Sequence, residues 1–176
     1  MAAKTYDSTV NAKNQGQGPD DTVVAGTLNI DSSAGGAFYV NEVDLTAALS
    51  ALKGAPTTAT FSPAAGGTNE SLVTITVKDA DGTAVTGPVV FDVLLSDASS
   101  GAGLTATEAS GAVAAGASGV DLATLVSKKA LRVQTTAAGV YILSITDSAK
   151  TAFKVVAQLP GRKAVVSSAL IAGNYG

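Results

Sequence analysis

From Pro56 onward, apolar and polar residues alternate with a period of two, the spacing of a strand with one buried face. Val73, Ile75 and Val77 alternate with Thr74, Thr76 and Lys78. Phe91, Val93 and Leu95 share a face, as do Leu131 and Val133, then Tyr141, Leu143 and Ile145, then Phe153, Val155, Ala157 and Leu159. Asp79-Ala80-Asp81-Gly82, Asp147-Ser148-Ala149-Lys150 and Pro160-Gly161 supply turn chemistry, and Ala164 to Leu170 reads as the last strand. Short alternating strands separated by such turns predict an antiparallel β-sandwich over residues 56–176. The stretch from Ser99 to Gly119 is rich in Ala, Gly and Ser and reads as long loops with one edge strand.

The first 55 residues have a different pattern. Residues 1–21 are almost wholly polar and read as an extended arm that cannot order itself. Thr22 to Ile30 and Ala37 to Val40 read as short strands around an Asp31–Gly36 turn. Asp44 can cap a helix ending before Gly54 and Pro56, with Leu45, Leu49 and Leu52 on one face. About ten residues are too few for a stable isolated helix, so this stripe needs a partner surface. The expected fold class is therefore mostly β: an immunoglobulin-like antiparallel sandwich preceded by an extended arm, short strands and one short helix. The expected division is 1–55 for contacts with partner surfaces and 56–176 for the sandwich.

Composition removes several functions. The chain has no cysteine and no histidine, which excludes disulfides, thiolate sites and triads of the usual kind. Charged residues are 14% where about 25% is usual, and the net charge of −3 disfavours nucleic acid as a partner. No apolar run reaches bilayer length, and the N-terminus has no signal-peptide core, so neither a membrane nor secretion is expected. Asp79-Ala80-Asp81-Gly82 opens like a calcium loop, but the later ligands do not follow, and it reads as a hairpin turn. Lys128-Lys129 reads as a guard at a strand edge or a contact at an interface rim. No catalytic, metal or cofactor residue is expected, and the protein reads as no enzyme.

Residues 59–171 resemble a sandwich domain of virion surface proteins of tailed phages, including head-decoration and head-fibre proteins. The matching segments are Thr60-Phe61-Ser62, Leu72 to Gly82, Val93 to Gly101, Gly139 to Thr146 and Ala157 to Ser167, the last containing Leu159-Pro160-Gly161-Arg162-Lys163. The resemblance implies a structural protein that cements the outer surface of a capsid, assembled in a host cytoplasm. A head fibre or tail-associated virion protein is the alternative, and a bacterial surface binding module is a further one. The partners expected on this reading are the major capsid protein and sister subunits, as a homotrimer. The candidate contact residues are Tyr6 and Val10 in the arm, with Phe38, Tyr39, Leu45, Leu49 and Leu52 after it. Aromatic residues of this kind are frequent interface anchors. Tyr175, near the other end of the chain, is either such an anchor or a side chain resting on the surface.

Overall fold

Alternating apolar side chains can be buried only if two sheet faces meet, and the chain folds accordingly. A computed structural model describes residues 54–161 and 164–176, together with the backbone of Tyr39, Val40, Val43 and Asp44. The last four form a minimal ladder, β1 (Tyr39–Val40) with β2 (Val43–Asp44), pairing Tyr39 with Asp44. Nine further strands follow: β3 (Thr58–Ala65), β4 (Glu70–Lys78), β5 (Val90–Ser96), β6 (Val113–Ala115), β7 (Val120–Val126), β8 (Ala130–Gln134), β9 (Val140–Thr146), β10 (Lys154–Gln158) and β11 (Val165–Val166). They form two antiparallel sheets, in the orders β3-β4-β9-β6 and β11-β10-β5-β8-β7, packed as a sandwich. No α-helix occurs among the described residues. Asp44 closes β2, and Leu45 to Lys53, the body of the expected helix, lie outside them.

The core is built by the period-two positions. Val73, Ile75, Val77, Tyr141, Leu143 and Ile145 face in from one sheet. Phe91, Val93, Leu95, Leu131, Val133 and Val155 face in from the other. The rings of Phe91 and Tyr141 meet across the gap edge to face, with centroids 6.2 Å apart and planes at 85°, the arrangement aromatic quadrupoles favour. Gly139 shows how tightly the end of the sandwich closes: its φ is 72° and an added Cβ would sit 2.6 Å from the Val85 carbonyl oxygen.

The sandwich has two poles. At the first, Thr58, Lys78 and Val140 end their strands, and the backbone N–H of Gly54 bonds to the Asp79 carboxylate at 3.1 Å. The chain therefore enters the sandwich from Gly54 at this pole. At the second lie the β3–β4 turn, Asp97, Ser110, Asp147 and Gly176.

Two features complete the frame. After β11 the chain continues alongside β10, where the Ser167 N–H donates to the Val155 carbonyl and the Leu170 N–H to the Phe153 carbonyl, each at 2.8 Å. It then makes one 3-10 turn (Ala172–Asn174) and reaches the opposite sheet. There the Asn69 N–H donates to the Gly176 carbonyl at 2.7 Å and the Gly176 N–H to the Glu70 carbonyl at 3.0 Å. The segment clasps the β3 and β11 side of the sandwich. Tyr175 is buried within it and donates its hydroxyl to the Thr151 carbonyl at 2.8 Å, so it is a core residue and neither of the two readings given it from sequence holds.

The other side, between β6 and β7, is joined through Asp121, which accepts the Ala115 N–H at 2.9 Å and the Tyr141 hydroxyl at 2.6 Å.

Candidate functional site

Many ionisable side chains of the sandwich fix its turns and loops. Asp79 accepts the N–H groups of Asp81 at 3.0 Å and Thr83 at 2.9 Å, which makes Asp79–Gly82 the expected hairpin turn. Asp97 holds the loop after β5 by accepting from the Ala106 N–H and the Thr105 hydroxyl, both at 2.8 Å, and these bonds keep its carboxyl below the usual range. Glu70 accepts from the Ser144 hydroxyl and the Gly67 N–H, with the same effect. Burial pushes the Asp147 carboxyl up, but bonds from Thr151 and Ser110 outweigh it and hold it low. Burial, then the bond to Asp121, raises the Tyr141 phenol well above its ordinary value. Among the described residues no group of acidic side chains is gathered as a metal site would require.

Three lysines do similar work. Lys129 donates to the carbonyls of Thr105 at 3.1 Å and Ala106 at 3.0 Å, Lys128 to that of Ser110 at 3.1 Å, and Lys154 to that of Asp97 at 2.8 Å. Lys128 and Lys129, read from sequence as an edge guard or rim contact, are the turn between β7 and β8 and tie down the neighbouring loop. The one ion pair among the described residues is Arg132 with Asp92, a two-point contact at 2.8 Å and 3.1 Å on the outer face.

Of the residues singled out from sequence as contacts, Tyr39 lies in the β1–β2 ladder. Tyr6, Val10, Phe38, Leu45, Leu49 and Leu52 fall outside the described residues. The structure exposes two surfaces instead. One is a groove of ≈ 390 Å³ between β3 and the clasp, lined by Phe61, Pro63, Leu170 and Ile171 among others. The other is β7, the edge strand of the five-stranded sheet, in which all seven residues are exposed. Val120, Leu122, Leu125 and Val126 stand 51%, 47%, 44% and 41% accessible. Isolated exposed apolar residues are ordinary, but here four fall on one strand of seven residues.

Sequence reasoning missed this strand for a physical reason. Its ladder with β8 slips between Asp121 and Ala123 and again between Thr124 and Val126. Each bulge adds a residue, so the apolar positions lose their period of two. The legible signal was composition: Val120-Asp121-Leu122-Ala123-Thr124-Leu125-Val126 has five apolar residues in seven, starting just after Gly119.

Comparisons with protein-family models, with curated proteins and with solved structures find no match.

Proposed function

We propose that this chain is a structural virion protein that decorates and cements the outer surface of a tailed-phage capsid. The observation that carries the reading is where the ionisable groups lie: Glu70, Asp97, Asp147 and Tyr141 each hold a turn, a loop or the two sheets together. That is the economy of a rigid building block. The strand order supports an immunoglobulin-like relation as well. The orders β3-β4-β9-β6 and β11-β10-β5 follow the A-B-E-D and G-F-C orders of immunoglobulin domains. The β7–β8 hairpin extends the second sheet at the far edge.

On this reading the segment before Gly54 faces the shell and the sandwich stands outward. Tyr6 and Val10 anchor the arm on the major capsid protein, and Phe38, Tyr39, Leu45, Leu49 and Leu52 bring subunits together as a trimer. The test is to add the full-length protein to undecorated capsids. Saturable binding at a fixed ratio, with a higher temperature of shell disruption, is expected. Absence of binding, or binding to the tail alone, would reject the cement role.

A further inference from the structure

We infer that the sandwich is a tension-bearing link between its two poles, in which β3 and the clasp take the strain in shear. The starting point is direction. β3 runs from Thr58 at the first pole to Ala65 at the second. The clasp starts with Val165 opposite Ala157 of β10 and runs the same way, past Phe153, to Gly176 at the second pole. The two lie side by side, since Phe61 and Pro63 of β3 line one groove with Leu170 and Ile171 of the clasp. Pulling on the chain before Gly54 draws β3 back out of the first pole. Pulling at Gly176 draws the clasp onward out of the second. The two neighbours are then drawn in opposite directions along their own axes.

Antiparallel ladder bonds lie perpendicular to the strands, so tension along a strand is shared by the whole ladder and does not fall on one bond. β3 is in register with β4 along all eight of its residues. The clasp pairs with β10 through Val165 and Val166, then bonds to Val155 from Ser167 and to Phe153 from Leu170. Ser167 is held twice, because its hydroxyl also accepts the Val155 N–H at 2.9 Å. Each member is keyed into the core as well, β3 by Ala59 and the clasp by Leu170 and Tyr175. The points of entry and exit are pinned, Gly54 by Asp79 and Gly176 by Asn69 and Glu70. Had entry and exit shared one pole, tension would open the ladder as a zipper, one pair at a time. The inference concerns the sandwich alone and stands apart from the capsid reading.

The chain has no cysteine, so pairs of thiol handles can be placed at will on the full-length protein and pulled in optical tweezers. Lys53→Cys, with a cysteine appended after Gly176 through a glycine linker, pulls from pole to pole. Lys53→Cys with Asp81→Cys, an exposed turn position at the first pole, peels the same β3–β4 ladder from its open end. Forced unfolding follows the unfolding rate, here along the direction pulled. At equal pulling speed the pole-to-pole rupture force is expected to be several-fold higher than the peeling force, with the sandwich opening in one step. Tyr175→Phe, which loses only the bond to the Thr151 carbonyl, is expected to lower the pole-to-pole force and leave the peeling force unchanged. A pole-to-pole force no higher than the peeling force would overturn the inference, as would a clasp that detaches first in a separate low-force step. A Tyr175→Phe variant that lowers both forces alike, or neither, would overturn the part assigned to the clasp.

Discussion

Asp147 sits at the second pole with 1% of its surface accessible. It accepts the Thr151 N–H at 2.7 Å and the Ser110 N–H at 3.1 Å, joining the loop before β6 to the turn after β9. A buried carboxylate is tolerated because donors surround it, and removing it leaves those donors unpaired. Asp147→Ala is therefore expected to cost about 2–3 kcal/mol in urea unfolding. The same bond pattern sets the response to acid. Glu70, Asp97 and Asp147 all have carboxyls held below their ordinary values. For such groups stability is fully present above the unfolded value of about 4, and is lost as pH falls through the lowered folded values. The thermal midpoint is expected to be flat near neutrality and to drop below about pH 4. A midpoint insensitive to acid would show that these bonds contribute nothing.

At the scale of elements, the strands that could be read from sequence are those with one dry face. The alternating apolar positions of β4, β5, β8 and β9 are buried, with Ser71, Ser96 and Ala130 beside them, because burial on one side of a pleated strand imposes that alternation; β10 instead buries Val155, Val156 and Ala157 in succession. β6 was legible only as an unspecified edge strand, since Val113-Ala114-Ala115 has too little apolar contrast to mark a face. β7 had no legible period, being bulged and exposed throughout, and only its composition marked it. The clasp was read as part of the last strand. Its ladder stops after Val165–Val166, and the chain then crosses to the other sheet, a long-range event that no local pattern encodes. Tyr175, 4% accessible, fixes that crossing. Tyr175→Ala is expected to cost about 3–5 kcal/mol, as for other large aromatic truncations. Hydrogen exchange in β3 and β11 should rise more than in β7 and β8. Uniform loosening would mean that the clasp is not a local fastener.

For the whole molecule, the core runs from Ala59 to Tyr175 among the described residues, and its frame carries its own turns and caps. Deleting residues 2–20 is thus expected to change the unfolding free energy by no more than about 0.5 kcal/mol. On the proposed function the same deletion abolishes binding to undecorated capsids. Fixing each backbone residue costs about 1–2 kcal/mol, so a polar arm orders only where a partner surface offsets that cost. A truncated protein that binds as well as the full chain would move the attachment to Phe38, Tyr39 and the leucines at 45, 49 and 52. The leucines were chosen from spacing alone, and spacing cannot say whether an apolar stripe faces its own domain or a neighbour.

The clasp has a practical consequence. It carries the chain to the second pole, where Gly176 is held by Asn69 and Glu70, while residues before Gly54 join at the first. If the first pole faces a support, cargo fused after Gly176 is presented on the far side, a sandwich-length away. The fusion should keep glycine at 176, because a Cβ there would collide with the Gly67 carbonyl oxygen. With that residue retained, the same geometry that locks the fold would make it a display platform, attached at one pole and loaded at the other.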